Sequence, residues 1–245
     1  MINIVVPMAG RGSRFANAGY QMPKPLIEIH GKHMIEVVTK NITPSGEHRF
    51  IYLCLEGHLK QYDLEKCLRR ISPECVIVPV REVTEGAACT VLLSEPYIDN
   101  DDELMIANSD QYVDIDINEY LDKAKNFDGY IMTMYADDPK WSFISFDTHD
   151  LVTMVKEKEV ISNEATVGIY NFKRGSDFVK FAHEMIEAQE RVNGEFYVAP
   201  VYNRFIRNGA RVSFFNVGKE DEGMYGLGIP EDLERFLKNP SFRGL

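Results

Sequence analysis

Long apolar runs are missing from this sequence. No hydrophobic stretch approaches the roughly 20 residues needed to cross a bilayer, so the sequence predicts no membrane span. The apolar stretch at the N-terminus is short, lacks a basic leader and runs straight into glycines, which argues against a signal peptide. Cysteine is scarce too: Cys54, Cys67, Cys75 and Cys89 are the whole complement, without CxxC spacing. That argues against a disulfide framework and a zinc centre, and favours a reduced, cytoplasmic setting. The six histidines are dispersed. No nucleophile–His–carboxylate arrangement emerges, and His30 and His33 flank a turn as structural residues.

Positive charge is in deficit. Against 38 Asp and Glu stand 27 Lys and Arg, a net charge of −11. Such a balance argues against nucleic acid as a partner, because that binding leans on broad positive fields. It does not exclude a nucleotide, since a small pocket can be positive within an acidic surface and a metal ion can carry part of the charge. The acidic run Asp99-Asn100-Asp101-Asp102-Glu103 reads as a solvated loop before a strand. Low-complexity segments, linkers and internal repeats are absent, so residues 1–245 read as one continuous domain. Self-association cannot be read from the sequence.

What is present is ordinary soluble material: 44% hydrophobic and 27% charged residues, in a chain long enough for a sizeable core. Short apolar runs alternate with amphipathic stretches, the pattern of an α/β fold. Strands are expected at Ile2–Val6, Arg49–Leu55, Val76–Val80, Leu104–Ala107 and Gly129–Tyr135, forming a mixed, mostly parallel central sheet. Helices are expected at His33–Ile42, Gly57–Arg70, Glu85–Leu93 and Ile117–Lys125. Past Trp141 the strands Ser142–Phe146, Leu151–Val155 and Thr166–Phe172 follow, joined by short turns. Then come helices at Ser176–Glu190 and Ala199–Asn208, the strand Val212–Val217, and a last helix from Pro230, where proline with Glu231 and Asp232 marks an N-terminus.

The chemistry concentrates near the start. The strand Ile2–Val6 breaks into Met8-Ala9-Gly10-Arg11-Gly12-Ser13-Arg14, and Pro23-Lys24-Pro25 follows at short range. A buried strand ending in a glycine loop aims backbone N–H groups at one point, and Arg14 and Lys24 add two positive charges there: equipment for gripping a polyphosphate. Prolines on both sides restrict the backbone of Lys24 and aim its side chain. A dinucleotide GxGxxG is not completed, because Phe15 stands at the third glycine position.

These residues resemble the N-terminal signature of the sugar-phosphate nucleotidylyltransferases, whose fold is akin to that of the GT-A glycosyltransferases; the similarity extends along the whole chain. The resemblance implies a nucleoside triphosphate with its phosphates in the loop (Met8 to Arg14) and a phosphorylated small-molecule acceptor. Residues 1–130 would form the nucleotide-binding half and residues 131–245 the acceptor half. Glu85, Gly86 and Ala87 match the segment that contacts the base, where small residues admit a flat ring. Asn108 and Asp110 match the segment whose aspartate binds Mg²⁺, and a carboxylate past a sheet strand is where open α/β sheets present ligands. Arg14, Lys24 and Asp110 would be catalytic. Glu157, Lys158, Gly168 and Glu195 match acceptor-binding segments, with Lys158 on the acceptor phosphate. The Pro139–Ser142 turn, with Trp141, would line the acceptor side.

A departure accompanies the likeness. Where many members carry a second metal-binding aspartate, this chain has Gly226: either Asp110 holds the metal with phosphate and water alone, or another carboxylate, such as Asp221 or Glu222 nearby, substitutes. For the base, Glu85 and the carbonyls of Arg81–Ala88 lean to CTP, and Thr84–Thr90 with Asn108–Tyr112 resemble cytidylyltransferase-type members of surface-polysaccharide pathways. UTP or dTTP with a sugar 1-phosphate is the alternative. Two rivals remain: a glycosyltransferase, disfavoured because Ser109-Asp110-Gln111 lacks the Asp-x-Asp pair, and a non-catalytic regulator that binds a nucleotide-sugar.

Overall fold

The computed structural model describes residues 1–243. The first strand, β1 (Ile2–Met8), leads through the glycine loop into a short helix, α1 (Ser13–Asn17). A single 3₁₀ turn (Lys24–Leu26) precedes the hairpin β2 (Glu28–Ile29) and β3 (Lys32–His33), then α2 (Met34–Asn41). Next come β4 (His48–Leu55), α3 (Glu56–Gln61), α4 (Leu64–Ile71), β5 (Val76–Val80), α5 (Ala87–Leu92) and α6 (Glu95–Ile98). They are followed by β6 (Glu103–Ala107), β7 (Gln111–Val113) and α7 (Ile117–Ala124). The remainder consists of β8 (Gly129–Tyr135), β9 (Ser142–Phe146), β10 (Val152–Glu157), β11 (Glu164–Phe172), α8 (Gly175–Glu187) and α9 (Val201–Arg207). Closing the chain are β12 (Val212–Glu220), β13 (Gly223–Gly226) and α10 (Pro230–Lys238), with a 3₁₀ turn at Pro240–Phe242.

One mixed sheet runs β5-β4-β1-β6-β11-β8-β12-β13-β7, with β9 and β10 branching from β11. The first four strands are parallel. β11 is antiparallel to both β6 and β8, and so joins strands from the two halves into one sheet. β1 is a near-continuous buried run, as a central parallel strand must be when both faces are covered. Its alternate residues serve two apolar layers: Ile2, Ile4 and Val6 pack with α2, α4, α7 and α10, while Val5 packs with α5, α8 and α9. The result is a sheet with helices on both faces.

The sequence expectation of one helix over Gly57–Arg70 is corrected. Tyr62 is extended, and the segment forms two helices, α3 and α4, at an angle. Other differences are additions: α1, α6, β7 and β13 are too short to carry a periodic signal. His30 and Gly31 have φ values of 49° and 82°, the pair of positive angles that a two-residue hairpin requires.

Two devices fix β7, the strand that follows Asp110. Asn41, on the face of α2 that reads as apolar, clamps it: its Nδ2 donates to the Val113 carbonyl at 2.8 Å and its Oδ1 accepts from the Val113 N–H at 2.9 Å. Tyr112, Tyr225, Phe236 and Phe242 then pack as an aromatic cluster with centroids 4.4 to 6.3 Å apart, tying β7 and β13 to α10. Edge-to-face and offset pairs of this kind contribute about 0.5–1.5 kcal/mol each beyond their burial.

Candidate active site

At the C-terminal ends of β1 and β6 lies a cavity of about 310 Å³, walled by Met8, Ala9, Gly10, Lys24, Asn108 and Asp110 together with Gly86 and Ala87. Lys24 opens the 3₁₀ turn, with Pro23 extended before it and Pro25 at the second position of the turn. Gly12, left-handed at φ 61°, lies against it; a Cβ there would stand 3.5 Å from the Lys24 Cβ. Lys24 Nζ donates to Asp110 Oδ2 at 2.8 Å, across 86 residues of sequence. Both side chains are partly exposed, 22% and 26%. Asp110 is fixed from behind: its carbonyl accepts from the Leu227 N–H at 2.8 Å, and its carboxylate rests on Gly228, where a Cβ would come within 2.5 Å of Oδ2. The structure therefore brings Lys24 and Asp110 together.

Other expected residues stand apart from this cavity. Arg11, Ser13 and Arg14 are exposed and do not wall it, because the chain past Gly12 turns into α1. Glu85 is also outside the wall, and its carboxylate is paired with Arg191. The Glu85 carboxylate, expected on the base side, is thus held by the Arg191 guanidinium in this structure. Gly86 is small for a reason different from the one expected. With φ 140°, it lies under the backbone of Phe196, whose carbonyl oxygen would be 2.3 Å from a Cβ. Phe196 N–H donates to the Glu85 carbonyl at 2.9 Å and its carbonyl accepts from Ala88 N–H at 3.0 Å. Val83, Thr84 and Thr90 also wall the cavity; they fall within the Arg81–Ala88 and Thr84–Thr90 stretches, but no role of their own is expected for these three side chains from the sequence. The Thr84 and Thr90 hydroxyls lie 2.6 Å apart. Their nearness to Gly86 in sequence was the one signal available.

A second cavity, about 250 Å³, adjoins the first, and Ala87 and Asn108 wall both. It holds Glu157, Lys158, Gly168, Lys140 and Trp141, so the acceptor-side residues gather with one exception. Glu195 is that exception: it is exposed and walls the first cavity. Ser142 Oγ donates to Glu157 Oε2. Burial pushes the Glu157 carboxyl up, and this hydrogen bond partly offsets it. Lys158 Nζ donates to the Tyr197 hydroxyl at 2.7 Å, a bond that pushes the lysine up. Gly168, at φ 83°, lets Asn108 dock; a Cβ would stand 2.1 Å from Asn108 Nδ2, and the Asn108 N–H donates to the Gly168 carbonyl at 3.0 Å.

Among the described residues, no three His, Cys, Asp or Glu side chains cluster as a metal centre would need. Asp221 and Glu222 do not substitute for an aspartate at Gly226: Asp221 pairs with Arg235 at 3.0 Å and Glu222 with Lys219 at 2.9 Å. Asp232 Oδ2 fills the space beside Gly226, 2.9 Å from where a Cβ would be. What remains for Mg²⁺ is Asp110: its carboxylate is partly exposed and faces one cationic group, the Lys24 ammonium, and Mg²⁺ commonly takes one or two carboxylates with substrate phosphates and water.

The profile of the family described as nucleotidyl transferase matches residues 4–209, from β1 through α9. The chain belongs to that family. It is 25% identical over 214 residues to the bifunctional protein GlmU of Methanococcus maripaludis, covering 85% of this chain and 48% of the relative. This chain thus spans about half the length of that curated relative. Among solved structures, the nucleoside-diphosphate-sugar pyrophosphorylase of Vibrio cholerae RC9 is similar at a TM-score of 0.85 and 25% identity, over 96% of this chain and 100% of the other. A putative glucose-1-phosphate thymidylyltransferase of Bacillus anthracis shares the fold at TM-score 0.77 and 17% identity, over 100% and 96% of the two chains. The inositol-1-phosphate CTP transferase of T. maritima does so at 0.73 and 18%, over 97% and 96%. In this family member the mixed sheet and flanking helices are those of the nucleotide-diphospho-sugar transferases. Among the described residues, no helix is long and apolar enough to cross a membrane.

Proposed function

We propose that this chain transfers a nucleoside monophosphate from a nucleoside triphosphate to a phosphorylated small acceptor, releasing pyrophosphate. The observation behind the reading is the pair of adjoining cavities, one with Lys24 and Asp110 and the other with Lys158, meeting at Ala87 and Asn108. A donor and an acceptor placed there would meet at the shared wall.

An acceptor phosphate oxygen attacks the α-phosphorus in line, and the bond to pyrophosphate breaks. With a second pKa of about 6, a phosphate ester is largely dianionic at neutral pH and needs no general base. The task for the protein is to bring two anions together. Lys24 and Lys158 neutralise charge from the two sides, the N–H groups of the glycine loop add fixed dipoles, and Arg14, exposed on α1, would contribute only by turning its side chain toward the phosphates. Asp110 would hold Mg²⁺, which neutralises phosphate charge when bound.

The finer reading is CMP transfer from CTP to L-glutamine phosphate in capsule precursor synthesis, as in the CTP:phosphoglutamine cytidylyltransferase that the Thr84–Thr90 and Asn108–Tyr112 segments resemble. The sugar-1-phosphate reading, with UTP or dTTP, is supported by what the similar proteins are named for. A panel of five triphosphates against glucose 1-phosphate, inositol 1-phosphate and phosphoglutamine, read by pyrophosphate release with Mg²⁺, tests all of this. Turnover with CTP and phosphoglutamine is expected. Product from UTP or dTTP with the sugar phosphate would replace the finer reading, and nucleotide-sugar binding without any turnover would replace the enzyme by a regulator.

A further inference from the structure

Lys158 is held more firmly than a surface lysine needs to be. Its φ of 56° is left-handed, a strained conformation for a non-glycine residue. Its N–H donates to the Trp141 carbonyl at 3.0 Å, which fixes the backbone at the mouth of the second cavity. The ammonium then donates to the Tyr197 hydroxyl at 2.7 Å, with the tyrosine ring 4.8 Å away. A charge-assisted hydrogen bond is strong enough to offset the rotamer entropy that a free lysine keeps.

Tyr197 is itself anchored. It follows Phe196, whose backbone makes the two hydrogen bonds to Glu85 and Ala88 that flank Gly86 and Ala87 of the first cavity's wall. The hydroxyl therefore sits at the end of a strap belonging to the nucleotide side while its ring and hydroxyl face the acceptor side. Burial, then the neighbouring Glu195, push the Tyr197 phenol up, while Lys158 is also pushed up. At neutral pH the pair is a neutral phenol and a full ammonium, so the positive charge stays on the lysine.

We infer that Tyr197 is a positioning residue, whose hydroxyl fixes the Lys158 ammonium in the second cavity as a preset seat for the phosphate of the acceptor. This rests on the reading of that cavity as the acceptor site. Position matters because an unrestrained lysine on a left-handed loop would spend most of its time in solvent. A phosphate arriving at a preset ammonium is spared the ordering cost. A phenol has one donor and two acceptor lone pairs, so Tyr197 can accept from Lys158 while its O–H is turned to the neighbouring Glu195 carboxylate.

The test reads Lys158 itself. Lysines are ¹³C-methylated reductively, the Lys158 resonance is assigned by its loss in Lys158→Arg, and inorganic phosphate is titrated as the probe in wild type and Tyr197→Phe. In wild type the resonance should stand apart from those of exposed lysines and move with phosphate. In Tyr197→Phe, which keeps the ring, it should fall back among the exposed lysines and half-saturating phosphate should rise about tenfold, with the melting temperature and triphosphate binding unchanged. An unaltered Lys158 resonance and phosphate response in Tyr197→Phe overturns the inference. If phosphate fails to move the wild-type resonance although that resonance depends on Tyr197, positioning stands and the acceptor-phosphate role of Lys158 falls.

Discussion

Lys24 and Asp110 show how one contact can be minor for stability and central for activity. An ion pair this exposed, at 22% and 26%, contributes about 0–1 kcal/mol to folding. The charges it would present to a triphosphate act where negative charge is concentrated, and losing one such group costs on the order of 10²–10³ in rate, about 3–4 kcal/mol. Lys24→Ala and Asp110→Ala should therefore each lose that much activity and still melt cooperatively near the wild-type temperature. A folded Asp110→Ala protein with near-normal turnover would remove the metal assignment. The types of both residues were legible in the sequence, from the prolines around Lys24 and the strand before Asp110. Their 2.8 Å contact was not, because pairing across 86 residues leaves no local signature. Arg14 and Glu85 mislead for a related reason. Sequence proximity to a glycine loop or a helix start says nothing about which way a long side chain turns, and here one is out in solvent and the other on Arg191.

The strands carry their logic in their irregularities. β11 is buried along its whole length, and it was legible as a strand from that apolar run. Its register against β8 shifts between Thr166 and Tyr170, and Gly168 sits inside the shift at φ 83°. A bulge of this kind bends the strand and re-aims what lies beside it; here it opens room for Asn108, which walls both cavities. Gly168→Ala would place a methyl 2.1 Å from Asn108 Nδ2 on a backbone that disfavours it. The expected cost is about 2–4 kcal/mol, read as a lower urea midpoint with an unchanged slope. Weaker binding of triphosphate and acceptor together is also expected. A variant that loses one substrate only would show that Asn108 does not join the two sites. Where elements were illegible they were short or interrupted. β7 and β13 span 3 and 4 residues, too few to show alternation, and one extended residue, Tyr62, separates α3 from α4 inside a continuous amphipathic pattern. Asn41 belongs here as well: at helical spacing it reads as part of an apolar face, whereas it is the clamp on β7.

For the whole molecule, the division into a nucleotide half and an acceptor half does not coincide with any division of the sheet. β6 lies between β1 and β11, so its outer edge is covered by a strand from the second half. β7 pairs with β13 near the other end of the chain. A fragment ending at Asp128 would leave Leu104, Met105, Ile106 and Ala107 on an open edge, four residues that are at most 1% exposed in the whole chain. Unpaired apolar edges of that kind invite association with other chains. Such a fragment should aggregate and show no cooperative thermal transition, while calorimetry of the whole chain should give one transition whose calorimetric and van't Hoff enthalpies agree. Two resolved transitions, or a monomeric fragment with its own sharp melt, would mean that the halves fold independently. The functional consequence follows from the same continuity. The first cavity takes Lys24 and Asp110 from opposite ends of the first half, and Glu195 from the second half completes its wall. Neither cavity can therefore be complete before both halves have joined the sheet, and any fragment that bound a triphosphate tightly would contradict this.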